Sequence, residues 1–188
     1  MRRGFKADAN RIAVKVRAGL GLGPACPIDP WTVCVHFEID VWPLSELADP
    51  SGGQVGHHFL HVDTESFSAV TVHHASRRVI VHNDSHHHVR QRSNLTHELA
   101  HCFLGHALTG AFKPDGNRDR NPLIEEEAAF LGGSLLITNE AAHRIVASGN
   151  LDAARSAYGV SRQMLEFRLR MSGAHTVAGR RKQSGSRA

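Results

Sequence analysis

The sequence predicts an α+β fold in which a small sheet precedes a set of helices. Three short runs rich in β-branched and aromatic residues lie within residues 57–83, and the last two of them predict a hairpin. From Arg90 onwards, apolar residues recur at helical spacing instead. A chain of 188 residues fits one domain of ordinary size with a small extension.

The composition is that of a globular protein. Apolar residues make up 41% of the chain and charged residues 21%, which argues against global disorder. No apolar run approaches the roughly 18 residues that span a bilayer, and the basic N-terminus lacks the apolar stretch of a secretory signal. The 3 cysteines include no Cys-x-x-Cys pair, so we expect reduced thiols, a cytoplasmic location and no membrane partner.

The N-terminal part predicts a helix, an ambiguous segment and a short strand. Residues 7–18 place apolar side chains at helical spacing before a glycine-rich stretch. Residues 29–37 begin like a helix, with Asp29 followed by Pro30, yet their valines alternate as in a strand. Residues 39–42 predict a short strand.

The first of two strong helices is predicted over residues 93–107, with Ser93 or Asn94 available as its N-cap. Its apolar face carries Leu95, Leu99, Cys102 and Phe103.

The second strong helix is predicted over residues 123–137, and its acidic first turn suits the positive end of the helix dipole. Its core-facing residues are Ile124, Ala128, Leu131 and Leu135. Turn-forming residues predict loops at 49–56 and 109–122, and residues 139–172 predict short helices. Two of these, joined by a turn at Gly159, resemble a helix-turn-helix unit.

The first strong helix contains the string His-Glu-x-x-His. His97 and His101 are four residues apart, so their rings project from one helix face and can bind one tetrahedral zinc ion. Glu98 lies about 100° round the helix, where it cannot join them as a ligand but can reach a water in an open coordination position. A catalytic zinc ion needs a third protein ligand.

The second strong helix offers candidates for that ligand. Glu125, Glu126 and Glu127 follow a loop long enough to reverse the chain, so one carboxylate could return to the two histidines. Alternatively, the acidic triplet only stabilises the start of its helix. The residues alone leave both interpretations open.

Two stretches together resemble the ImmA/IrrE family of zinc metallopeptidases: RQRSNLTHELAHCFLGH, from Arg90, and EEEAAFLGGSLLIT, from Glu125. The family pairs an Arg-x-Arg lead-in and a His-Glu-x-x-His helix with a Glu-x-x-Ala helix that ends in a Leu-Leu motif. The stretches from Arg3 and from Ile28 also read like the start of such proteins. The resemblance covers most of residues 4–172.

The resemblance implies a zincin-like fold with an active-site helix and a second, ligand-bearing helix. The implied Zn²⁺ ligands are His97, His101 and Glu125. Glu98 would be the general base. Glu125 lies three residues before Ala128, where the family's ligand falls, and Glu126 or Glu127 remains the alternative.

This interpretation divides the chain into three parts. Residues 1–138 form the metallopeptidase domain, residues 139–174 a small helical extension packed on it, and residues 175–188 a basic flexible tail. The tail carries much of the formal charge of +4 and suits a solvated terminus.

The sequence departs from the family pattern at several positions. Ala129 stands where Asn or Asp is frequent, which removes a possible hydrogen-bond partner of a ligand histidine. Thr138 replaces a frequent proline, and Ser93 replaces a common aromatic residue. Gly132 and Gly133 replace small alanines. These differences concern the tuning of the site rather than the metal itself.

The remaining histidines are expected to be structural or solvated. The cluster at residues 86–88 could bind metal adventitiously, but surface solvation is favoured. Five others fall on predicted strands, where packing on a sheet face is the default: His57, His58, His61, His73 and His74. His106 extends the first strong helix but is rotated off the ligand face, so we do not expect it to be a ligand.

The resemblance implies a zinc-dependent endopeptidase that cuts a regulatory protein, typically a helix-turn-helix repressor encoded nearby, in a mobile element or stress response. The competing hypothesis is a non-proteolytic module of the same fold that binds DNA or a repressor. It rests on the basic C-terminal half, including Arg162, Arg168 and Arg170. Glu98 favours the enzyme, because a binding module needs no base beside its metal.

Overall fold

The computed structural model describes residues 1–47, 54–75, 77–106 and 121–185. The strands are β1 (Asp40–Pro43), β2 (Ala69–His74) and β3 (Arg77–His82). The helices before the sheet hairpin are α1 (Phe5–Gly19), α2 (Pro30–His36), α3 (Leu44–Leu47) and α4 (Gln54–His57), which a π-helical segment (His58–Val62) continues. Two long helices follow the hairpin, α5 (His88–Phe103) and α6 (Pro122–Leu136). The shorter C-terminal helices are α7 (Asn139–Ser148), α8 (Leu151–Tyr158), α9 (Arg162–Met171) and α10 (Ala174–Gly185).

The three strands form one sheet in the order β1-β3-β2. β1 and β3 are parallel, with Asp40 opposite Val79, whereas β2 and β3 are antiparallel, with Thr71 opposite Ile80. Val79 and Ile80 of the central strand are fully buried, and α5 packs across β2 and β3. The predicted α+β class, the hairpin and the short strand near residue 40 are confirmed.

The ambiguous segment at residues 29–37 is helical. The carboxylate of Asp29 accepts hydrogen bonds from the backbone N–H and the hydroxyl group of Thr32, each at 3.1 Å. Pro30 occupies the first turn, where its missing N–H costs nothing. Val35 is 80% exposed, so the alternating valines do not mark a buried strand face.

The prediction of a strand over residues 57–62 is wrong, because α4 and the π-helical segment occupy this range. Only Leu60 is buried within the π-helical segment. The side-chain amide of Asn83 donates to the carbonyl groups of Phe59 at 2.9 Å and Phe67 at 3.1 Å. The sequence pattern of a short apolar run fits a helix and a strand equally well. In the folded protein, the hydrogen bonds from Asn83 are made to the helical form of this segment and to the chain after it.

Helix α5 begins earlier than predicted, at His88. The ring of His87 accepts a hydrogen bond from the backbone N–H of Val89 at 3.3 Å, so His87 is the N-cap in place of Ser93 or Asn94. The helix therefore includes the whole Arg-x-Arg lead-in.

Arg92, the second arginine of that lead-in, joins three parts of the chain. Its guanidinium donates to the carbonyl groups of Ile28 at 2.6 Å and Gly159 at 3.2 Å. It also contacts the carboxylate of Asp29 at 3.1 Å. Burial lowers the pKa of Arg92, and the charge of Asp29 opposes this effect. These contacts fix α5 relative to the start of α2 and the turn after α8.

Helix α6 packs against both α5 and α1. Of its predicted core residues, Ala128, Leu131 and Leu135 are fully buried and Ile124 is half-buried. Gly132 touches α5 directly: a Cβ atom added there would lie 3.1 Å from both the backbone nitrogen of His97 and the carbonyl oxygen of Thr96. The missing side chain allows the two backbones to approach at the level of His97.

Two buried arginines surround the C-terminal end of α6. Arg17 donates to the carbonyl groups of Leu135 at 2.9 Å and Leu136 at 3.2 Å, and Arg168 donates to that of Ile137 at 2.9 Å. Burial lowers the pKa of each guanidinium to about 10. Both remain charged at neutral pH, which suits the negative end of a helix dipole.

Residues 139–172 form short helices, as predicted. Gly159, between α8 and α9, has φ +57. Of the three arginines considered as DNA contacts, Arg168 is buried, Arg162 pairs with Glu166 at 2.7 Å, and Arg170 is exposed. The helix-turn-helix interpretation stays a prediction.

Residues 174–185 form α10, within the range where a tail is predicted, and the flexibility of residues 175–188 stays a prediction. Ala174, at the start of α10, is buried, and α10 packs against α7 and α9. Residues 186–188 and nearly all of the loop predicted at 109–122 lie outside the described residues, as does the first part of the loop predicted at 49–56.

The predicted division of the chain at residues 138 and 174 stays a prediction.

Within the described ranges, every helix is too short or too polar to cross a membrane.

The contact at Gly132 generates a prediction for stability. Gly132→Ala adds a methyl group against the backbone of α5, and overpacking of this kind typically costs roughly 1–3 kcal/mol. Gly179→Ala is the matched control, because Gly179 is also helical but has nothing within 4 Å of an added Cβ. Alanine gains about 1 kcal/mol of helix propensity at either position. We expect chemical denaturation to give a lower free energy of unfolding for Gly132→Ala than for Gly179→Ala. Equal values would contradict the close contact.

Candidate metal centre

Three side chains converge where α5 and α6 face each other. Nε2 of His97 lies 3.1 Å from Nε2 of His101 and 3.3 Å from Oε2 of Glu125. Nε2 of His101 lies 3.7 Å from Oε1 of Glu125. α5 supplies the two histidines one turn apart, and the first turn of α6 supplies the carboxylate. Among the described residues, this is the one group of three or more potential metal ligands.

The donor set and its spacing fit a zinc ion. Tetrahedral ligands at about 2.0–2.1 Å from zinc lie about 3.3–3.4 Å from one another, close to the observed separations. One potential ligand atom from each of the three groups lies within 4.8 Å of the others, so one cation could bind all three. Two imidazoles and one carboxylate also leave a fourth coordination position open, as catalytic zinc sites do.

The protonation state of His101 suits metal binding. Burial lowers the pKa of His101, and the neighbouring His97 lowers it further, while the carboxylates of Glu98 and Glu125 oppose both effects. A lowered pKa keeps the ring neutral at pH 7. The neutral ring offers the lone pair that a metal ion requires.

The structure brings Glu125, and neither of its acidic neighbours, to the two histidines. The carboxylate of Glu126 contacts the N-terminal ammonium group of Met1. The carboxylate of Glu127 accepts a hydrogen bond from the backbone N–H of Arg2 at 2.8 Å. Successive helical residues point about 100° apart, which is why only one of the three faces α5 here.

Glu98 lies on α5 between the two histidines but outside the converging group. Its carboxylate is buried, and its Oε2 accepts a hydrogen bond from the hydroxyl group of Thr71 on β2 at 2.6 Å. An ionised carboxylate has about four lone-pair sites, so Glu98 can accept a further hydrogen bond from water. Thr71 is a contact that the motif does not predict. The sequence gives one indication of this contact, which is that Thr71 carries a hydroxyl group between the apolar residues of a short strand.

The chain reverses after α5 and brings His106 back toward the converging group. Gly105 has φ +65, and its N–H bonds to the carbonyl group of Cys102 at 3.2 Å, while the N–H of His106 bonds to that of His101 at 3.1 Å. This pattern is a Schellman motif. Nδ1 of His106 lies 2.9 Å from Nδ1 of His101. The expectation that His106 extends the helix is wrong, because α5 ends at Phe103, whereas His106 is not among the converging ligands.

The other histidines lie apart from the centre. His86 is buried rather than solvated, and its Nε2 lies 2.6 Å from the carbonyl oxygen of Thr64. His88 stacks on Trp31 with 5.1 Å between ring centres. All of the histidines expected to pack on a sheet face are exposed instead: His57, His58, His61, His73 and His74.

The chain matches a known protein family over a range that contains both helices. A family model described as the IrrE N-terminal-like domain of the M78 peptidases matches residues 54–170. The matched range runs from α4 into α9 and includes the three converging residues and the candidate base Glu98. No curated protein and no solved structure matches the chain at a significant level.

The geometry predicts which residues hold zinc. We expect elemental analysis to find one zinc ion per wild-type chain, and His97→Ala or His101→Ala to abolish binding. Glu125→Ala should weaken binding strongly, whereas Glu126→Ala and Glu127→Ala should leave it near the wild-type value because these carboxylates face elsewhere. A double replacement of His57 and His61, an exposed helical pair with the same spacing, is the matched control. Loss of zinc with Glu126→Ala or Glu127→Ala but not with Glu125→Ala would overturn the assignment.

Proposed function

The chain belongs to the M78 family of IrrE N-terminal-like metallopeptidase domains, and on that premise we propose that it is a zinc-dependent endopeptidase acting on a regulatory protein. The observation that carries this proposal is the convergence of His97, His101 and Glu125, with Glu98 beside them on α5. Two imidazoles, a carboxylate and an adjacent second carboxylate are the parts that metal-assisted peptide hydrolysis needs.

Each protein group has a distinct role in the proposed reaction. His97, His101 and Glu125 would hold the zinc ion, which would supply polarisation of the scissile carbonyl group and a lower pKa of water. Glu98 accepts a proton from the attacking water as the C–O bond forms, and then donates it to the amine as the C–N bond breaks. Thr71 keeps the Glu98 carboxylate in one orientation through its hydrogen bond to Oε2.

The position of β2 at an edge of the sheet favours a polypeptide as the substrate. β2 lies at one edge of the sheet and, in the described part of the chain, pairs only with β3. An extended peptide that added to this edge would pass Thr71 and therefore Glu98. We propose that the substrate presents its scissile bond in this way, as part of a longer chain.

The substrate is proposed to be a helix-turn-helix repressor encoded nearby, in a mobile element or a stress response. The support for it is the resemblance to ImmA/IrrE peptidases. The competing hypothesis, a module that binds DNA or a repressor without cutting it, depends on basic residues of the C-terminal half. Two of these have other contacts, since Arg168 is buried against α6 and Arg162 pairs with Glu166.

Replacement of the proposed base separates the two hypotheses. Glu98→Gln preserves the shape of the side chain and can still accept the Thr71 hydrogen bond, but it cannot accept a proton from water. We expect the variant to bind zinc like the wild type and to cut its substrate at least ~10²-fold more slowly, the lower range for the loss of a general base. The measurement is the half-life of a neighbouring repressor in cells that express each variant.

Glu126→Gln is the matched control, because it removes a carboxylate from α6 outside the converging group, and it should leave repressor turnover unchanged. If Glu98→Gln lowers the repressor level, or ends its repression, as strongly as the wild type does, the protein does not act by hydrolysis. The binding module would then be the better account.

A further inference from the structure

His101 uses both of its ring nitrogens. Nε2 faces the converging group, and Nδ1 lies 2.9 Å from Nδ1 of His106. The two rings meet edge to face, with 5.0 Å between their centres and 67° between their planes. We propose that His106 is a positioning residue that accepts a hydrogen bond from Nδ1–H of His101 and thereby aims Nε2 of His101 at the metal.

The direction of this hydrogen bond follows from the chemistry of imidazole. A neutral ring carries one N–H group and one lone pair. If Nε2 of His101 gives its lone pair to a metal ion, its proton is on Nδ1, and the partner at Nδ1 has to be an acceptor. Nδ1 of His106 is then unprotonated, and the proton of His106 is on its own Nε2. The inference thus rests on the proposed function, which places a metal at Nε2.

The backbone around His106 is arranged to hold it in this position. The left-handed conformation of Gly105 reverses the chain, and the N–H of His106 bonds to the carbonyl group of His101. Arg78 on β3 lies within 3.5 Å of the carbonyl oxygens of Cys102 and His106. The ring of His106 therefore contacts His101 at Nδ1, whereas Nε2 of His101 faces the converging group.

Metal affinity tests this role most directly. We expect His106→Ala to weaken zinc binding by about 10–100-fold, the usual effect of losing a hydrogen-bond partner of a ligand histidine. His106→Asn places an amide oxygen near the position of Nδ1, so it should restore most of the affinity. The affinities are measured by competition with a chromophoric zinc chelator, with His58→Ala as a control for loss of an exposed histidine. Thermal unfolding of the zinc-free proteins confirms that each variant is folded.

A second measurement reports the hydrogen bond itself. In ¹⁵N NMR of the zinc-loaded protein, we expect Nδ1–H of His101 to give a resonance protected from solvent exchange. The resonance should survive in His106→Asn and broaden through exchange in His106→Ala. A merely structural role of His106 predicts no such difference between the two variants.

The outcomes distinguish failure of this inference from failure of the proposed function. Wild-type zinc affinity in His106→Ala, together with loss of zinc in His101→Ala, would reject the positioning role and retain the metal centre. Equal loss of zinc in folded His106→Ala and His106→Asn would also reject it, because the acceptor would not matter. Wild-type zinc affinity in His101→Ala would reject the metal centre, and the proposed function with it.

Discussion

The close approach of α5 and α6 is the constraint on which the candidate centre depends. Two of the three converging groups lie on α5 and the third on α6, so their spacing is set by the distance between the helices. Gly132 determines that distance, because an added Cβ would lie within 3.2 Å of backbone atoms of Thr96 and His97. Backbone atoms of a packed helix have little freedom to move aside. A shift of a few tenths of an ångström at Gly132 would be felt at Glu125, on the same rigid helix.

Polar contacts fix both helices from outside this interface. Arg92 connects α5 to the start of α2 and to the turn at Gly159. Arg17 and Arg168 bond to carbonyl groups at the end of α6, and the guanidinium of Arg168 also lies 5.1 Å from the ring centre of Phe130. Burying a cation is costly unless hydrogen bonds compensate for lost water, and the carbonyl groups at a helix end offer such bonds. Three buried arginines thus hold in place the two helices that bear the centre.

The sequence predicts the parts of the centre that depend on local spacing. His97 and His101 share a face because α5 is helical, and Glu98 is adjacent for the same reason. The choice of Glu125 over Glu126 and Glu127 could not be made from helix spacing alone, because it depends on how α6 is rotated against α5. The family resemblance selected Glu125, and the structure brings that residue to the histidines.

Other features could not be predicted because they depend on contacts between distant residues or on one backbone conformation. The hydrogen bond from Thr71 to Glu98 spans 27 residues and requires the sheet to pack on α5. The position of His106 depends on the left-handed turn at Gly105, without which the helix would carry it away from His101. Residues 57–62 are too short and too mixed for periodicity to distinguish helix from strand.

Anomalous scattering at the zinc absorption edge, from crystals of the zinc-loaded protein, tests the central claim most directly. The account predicts one strong peak about 2.0–2.2 Å from Nε2 of His97, Nε2 of His101 and a carboxylate oxygen of Glu125. A strong peak only at exposed histidines such as the His57–His61 pair, with none between α5 and α6, would contradict it.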